Sequence, residues 1–124
     1  MGRVTYTNKV ELAGIVGDYV TWGKSTNGKK YCSFQIITNA AKGYTSEAET
    51  NSKEYIRIFV FNGRTKRMVD SMKEAGFRRG LYVRIEGKLQ SSKTEYKGQS
   101  IIQIAVHVYK MWIINKDGSE TEIE

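Results

Sequence analysis

The stretch Glu54–Phe61, read Glu-Tyr-Ile-Arg-Ile-Phe-Val-Phe, holds the residues whose types and spacing carry the most chemistry. Side chains on a strand alternate between faces. Ile56, Ile58 and Val60 therefore share one side, and Tyr55, Arg57, Phe59 and Phe61 the other. The first side is aliphatic core. The second sets three aromatic rings beside a guanidinium, a costly group to leave in water and a poor one for a core, where the cation needs a buried partner. Flat rings along a strand with a cation between them suit unpaired nucleobases, which stack on aromatic side chains while their phosphates attract Lys and Arg. The competing expectation is that this face packs under a helix or against a neighbouring subunit.

Bulk properties narrow the partner. At 124 residues the chain is long enough for one domain and one core. Twenty Lys and Arg against 13 Asp and Glu give +7. The final ten residues hold Asp117, Glu120, Glu122 and Glu124 against Lys116, which leaves +10 on residues 1–114. A body this basic favours a polyanion over a small neutral or acidic ligand. The single cysteine, Cys32, fits a reducing compartment and an inward strand position. The start lacks the apolar run of a signal peptide, and no segment approaches the ~18 apolar residues of a membrane span. We expect a soluble, cytoplasmic protein.

The chemistry for catalysis is missing. With one histidine, one cysteine, no carboxylate pair at a motif spacing and no Gly-rich phosphate loop before a helix, no catalytic set can be assembled. His107 has no partner at metal-ligand spacing and reads as structural, so neither a metal nor a cofactor is expected.

The elements that must position the strand-three residues follow from periodicity. Asn8–Val16 alternates as a first strand, with Gly14 interrupting its core face; Tyr31–Asn39 is a second, with Cys32, Phe34 and Ile36 inward. Between them Asn27-Gly28 marks a hairpin flanked by Lys24, Lys29 and Lys30. Trp22 either anchors that hairpin on the core or stacks on a base. Ala40–Lys53 reads as a long loop, where Tyr44 is either idle or a clamp. After the third strand, Arg64–Ala75 spaces Met68, Val69, Met72 and Ala75 on one helix side, with Thr65 as cap, Asp70 and Glu74 facing solvent and Gly76 as terminator. Leu81–Gln90 is the fourth strand, with Gly87 breaking its inner row and Arg84 and Lys88 outward. Ser91–Gln99 is a polar hairpin carrying Lys93, Tyr96 and Lys97, and Ser100–Ile114 is the last strand. Five strands, bent by glycines, with one helix between the third and fourth, describe an all-β Greek-key barrel of the oligonucleotide-binding (OB) type.

The chain resembles the single-stranded DNA-binding protein (SSB) family. The matching residues are Asn8-Lys9-Val10 with Leu12 and Gly14; Phe34, Ile36, Thr38 and Asn39; Glu54, Tyr55, Arg57, Ile58 and Phe61; Val83 and Ile85-Glu86-Gly87-Lys88-Leu89-Gln90; and Gly98-Gln99. The resemblance implies an OB-fold domain over residues 1–112 and binding of single-stranded DNA in replication, recombination or repair. Tyr55, Arg57 and Phe61 are its strand-three site residues, and Tyr44 and Tyr96 its loop aromatics. Phe59 and Trp22 join them as stacking platforms, and Arg84, Lys88, Lys24, Lys93 and Lys97 join Arg57 as phosphate contacts. A homotetramer is implied as well, and a bacterial cell or the host of a phage as the setting. Residues 113–124 read as a short acidic tail, either a solvated end or a reduced form of the tip that recruits replication proteins in other members. The exit Phe61-Asn62-Gly63 is one residue longer than the usual Phe-Gly.

Overall fold

Alternating apolar residues can be buried on one face only if the sheet curls round them, and here it closes on itself. The computed structural model describes residues 5–39 and 53–124. The strands are β1 (Val10–Val16), β2 (Thr21–Lys24), β3 (Lys30–Asn39), β4 (Lys53–Phe61), β5 (Tyr82–Tyr96), β6 (Gln99–Ile114) and β7 (Glu120–Ile123), with helix α1 (Met68–Glu74) between β4 and β5. The order β1-β5-β6-β4-β3 returns to β1 through the β1–β3 pairing, making a ring of the five expected strands. The β4–β6 contact is parallel and the others antiparallel. The short strands β2 and β7 add to β3 and β6.

Two glycines let the ring close. A Cβ at Gly14 would run into the backbone carbonyl of Ile37, where β1 leaves β5 for β3. A Cβ at Gly87 would strike the carbonyl oxygen of His107, at the register shift between Glu86 and Gly87 that bends β5. Just beyond, the Asn8 side chain bonds both the N–H and the C=O of Leu89, each at 2.8 Å, fastening the chain before β1 to the bent strand.

Inside lie Phe34, Ile36, Ile58, Val60, Val83 and Ile85 with Cys32, and burial pushes the Cys32 thiol up to about 12, so it stays neutral. Met68, Val69 and Met72 of α1 and Phe77 close one end. Each such side chain contributes about 1.5–3 kcal/mol relative to exposure.

The helix is shorter than its periodicity suggests and is capped from elsewhere. Thr65 does not cap it: the Asn62 Oδ1 atom accepts from the Val69 N–H at 2.7 Å, and Asn62 Nδ2 donates to Asp70 at 3.1 Å. The residue that lengthens the strand-three exit thus satisfies a helix N–H that would otherwise be buried unpaired. Asp70 is half-buried between Asn62 and Lys30 (3.1 Å) rather than turned to solvent, and the Lys30 hydrogen bond holds its carboxyl below the usual range. Ala75 is exposed, and Gly76 ends the helix at φ 76°.

The C-terminal segment is not a solvated tail. A turn at Asn115–Ser119, with Gly118 at φ 88° and the Asp117 carboxylate accepting from the Ser119 N–H at 2.9 Å, reverses the chain into β7. β7 pairs with Met111–Ile114 and drops Ile123 into the core at 3% exposure. The Ser71 hydroxyl of α1 bonds the Glu124 carbonyl. Asp117-Gly118 before an alternating Glu-Thr-Glu-Ile is the hairpin signal that a count of charges hides. Nor does β5 stop at Gln90: its ladder with β6 runs to Tyr96 opposite Gln99, around Lys97 and Gly98 at φ 51° and 78°, forming an arm beyond the barrel.

Candidate nucleic-acid interface

Strand register assembles the site. Across β3–β4, Tyr31 lies opposite Phe61, Ser33 opposite Phe59, Gln35 opposite Arg57 and Ile37 opposite Tyr55. The parallel contact sets His107 beside Phe59, and β5 then places Lys88 opposite His107, Gln90 opposite Ala105 and Ser92 opposite Gln103. One sheet face therefore runs unbroken across β3, β4, β6 and β5.

Its centre is a cluster of rings. Phe59 and Phe61 stack at 6.1 Å and 13°. His107 lies 5.4 Å from Phe61 at 29° and 5.8 Å from Phe59. Tyr31 tilts against both phenylalanines at 6.3 and 6.1 Å. The Lys29 ammonium sits 5.7 Å from the Phe61 ring. A cavity of about 220 Å³ opens over the rings, bordered by Arg57, Gln90, Ser92, Gln103 and Ala105. On the far side of Arg57 a second cavity of about 240 Å³ is bordered by Tyr19, Thr21, Ser33 and Gln35. No carboxylate lines either cavity among the described residues. Burial, and then the Lys88 charge, hold His107 below its ordinary value, which favours the neutral imidazole, a flat ring without charge.

Of the residues the sequence singled out, Arg57, Phe59 and Phe61 meet at these cavities, and Lys88 adjoins them through His107. Tyr55 continues the row along β4 at 57% exposure. Tyr96 falls on the same face of the arm by register, with the Lys97 ammonium 5.4 Å from its ring. Tyr44 lies outside the described residues.

Four candidates lie elsewhere. Trp22 pairs with the inward Cys32 and packs edge-on against Phe77 at 6.2 Å under Lys73, so it anchors the β2–β3 hairpin to the core. Lys24 borders the hollow beside Trp22. Lys93 pairs with Ile102 and so takes the opposite face of the arm. Arg84 is closed off on the outer surface: Glu120 grips it at 2.8 and 2.9 Å, Glu86 stands at 3.3 Å and Glu11 at 3.9 Å, and its guanidinium lies 3.9 Å from the Trp112 ring centre. A guanidinium with three carboxylates is already neutralised, and Glu120 raises its pKa further.

The site residues not singled out from sequence are His107, Tyr31, Tyr19, Gln90 and Gln103. Alternation puts Tyr31 on the strand face opposite Cys32 and Phe34, but only strand register brings the rings together: the β3–β4 pairing sets Tyr31 against Phe61, and the β4–β6 pairing sets His107 beside Phe59.

A closed five-stranded ring with its helix between the third and fourth barrel strands, and a face of aromatic rings set among cations, defines an OB-fold of the nucleic-acid-binding kind. A family model described as the single-strand binding protein family matches residues 7–114, and the chain belongs to that family. Among solved structures it is similar to "Plasmodium falciparum SSB complex with ssDNA", with TM-score 0.68, 21% identity, and 86% of this chain and 89% of that one covered. It is also similar to a deletion mutant of the single-stranded DNA binding protein from Thermus aquaticus, with TM-score 0.68, 17% identity and 93% of this chain covered; it spans 54% of that chain. No curated protein matches it.

Proposed function

We propose that this protein binds single-stranded DNA, without catalysis and with little sequence preference, on the face formed by β3, β4, β6 and β5. The observation that carries the reading is the Phe59–Phe61–His107 ring cluster, set beside Arg57 and Lys88 with no lining carboxylate among the described residues. Membership of the single-strand binding family and the likeness to a fold seen with ssDNA support it. Bases stack on the rings, each contributing about 1–3 kcal/mol, and phosphates pass along the cations, each neutralised phosphate adding about 0.7 to the salt slope. Tyr55 and Tyr96 extend the stacking surface towards its two ends. Protection of single strands during replication, recombination or repair is the role this chemistry serves. The assembly is a homotetramer, a reading supported by the family resemblance and by Ile15 and Tyr82, apolar side chains left exposed on β1 and β5.

Both tryptophans, Trp22 and Trp112, lie off this face, so labelled oligonucleotides report binding better than intrinsic tryptophan emission. Fluorescence anisotropy with oligo(dT), oligo(U) and a DNA duplex at two salt concentrations tests the reading. Tight, salt-dependent binding of oligo(dT) with weak duplex binding is expected. Equal affinity for all three would reduce the face to a non-specific basic surface. Preference for oligo(U) would make RNA the ligand. The mass of the free protein by light scattering checks the tetramer.

A further inference from the structure

Stacking and phosphate tracking need rings and cations, yet one wall of the central cavity is built of amides. Gln90 and Gln103 stand on β5 and β6 at diagonal positions, with Ser92 beside them and Ala105 between. A glutamine on an exposed strand is ordinarily just solvated. Here both border the cavity whose other wall is Phe59 and Phe61, and neither amide donates a hydrogen bond to a described residue. Ala105, at 7% exposure, offers only a methyl group, which leaves depth between the rings and the amides. A base stacked on Phe59 or Phe61 presents its face to the rings, and its edge then meets the β5–β6 wall. A carboxamide carries donors and an acceptor in one plane, the pattern that pairs with the edge of an unpaired base.

Resting on the single-strand reading above, we propose that Gln90 and Gln103, with the phenylalanine rings as stacking wall, form a subsite that hydrogen-bonds the Watson–Crick edge of one unpaired base. The face then discriminates between bases at this point while remaining indifferent elsewhere. Ser92 supplies a further hydroxyl that can donate or accept.

The test compares oligo(dT) with the same oligomer carrying N3-methylthymine, which keeps the ring for stacking but blocks the pairing edge. Wild-type protein should bind the methylated oligomer roughly two- to tenfold more weakly, as expected for one or two lost hydrogen bonds. The double variant Gln90→Ala/Gln103→Ala should bind both oligomers alike, with the salt slope of the wild type. Equal affinity of the wild type for the two oligomers, or discrimination that persists in the variant, overturns the subsite and leaves single-strand binding standing. Failure of the wild type to bind oligo(dT) at all is a different result, and overturns the reading on which the subsite rests.

Discussion

Arg57 and Arg84 are both strand arginines placed beside aromatic rings, yet they belong to opposite faces with opposite uses. Arg84 lies over Trp112 with Glu120, Glu86 and Glu11 around it, and the side chain is 24% exposed. Arg57 is exposed and borders both cavities of the ring face, where no carboxylate among the described residues faces it. On the outer face the cation joins β1, β5 and β7 together. On the ring face the cation is left for a ligand's charge. What a cation next to a ring does is decided by the carboxylates within reach, which a sequence pattern shared by the two arginines does not reveal.

The sharpest way to break this contrast is through β7, which carries Glu120. Ile123→Ala should cost about 2–5 kcal/mol in denaturant unfolding, because it empties a core position; an unchanged midpoint would mean that β7 is dispensable and that the outer face is not a structural unit. On the ring face, Phe59→Ala should leave stability less affected but weaken oligo(dT) binding by about 1–3 kcal/mol, or roughly five- to 150-fold. A smaller, purely electrostatic effect separates the cations. Lys88→Ala should lower the slope of log affinity against log salt by about 0.7, whereas Arg84→Ala should leave the slope unchanged and lower the melting temperature. A reduced slope for Arg84→Ala would erase the distinction between the faces.

The smallest effect concerns pH. Burial, and then the Lys88 charge, favour neutral His107, so its folded pKa lies below the ordinary 6.5, and no carboxylate among the described residues lines the cavity beside it. Between the two values the unfolded chain holds more protons. Stability therefore falls as pH drops through the ordinary imidazole range, and recovers above it. Bound phosphates act in the other sense by favouring the imidazolium, so oligo(dT) affinity should rise slightly over the same fall in pH. His107→Gln should flatten both trends in parallel unfolding and anisotropy titrations.

Much of the fold was legible because its determinants are local. Alternation in Glu54–Phe61 separates Ile58 and Val60 from Phe59 and Phe61 whatever the strand pairs with, and Gly14 and Gly87 mark bends because only they fit the close approach of another backbone. Local signals also misled. Thr65 had the chemistry of a cap but Asn62 had the position, and the acidic composition of residues 115–124 concealed the Asp117-Gly118 turn and the inward Ile123.

The sequence by itself determined which side chains share a strand face and that the protein is basic, since both depend on the residues alone. The tertiary structure alone decided that His107, from a strand 48 residues further along, completes the Phe59–Phe61 cluster, and that Arg84 is closed by Glu120. Both outcomes depend on long-range register, which is set by ring closure and the bulge at Gly87 and has no counterpart in any local pattern.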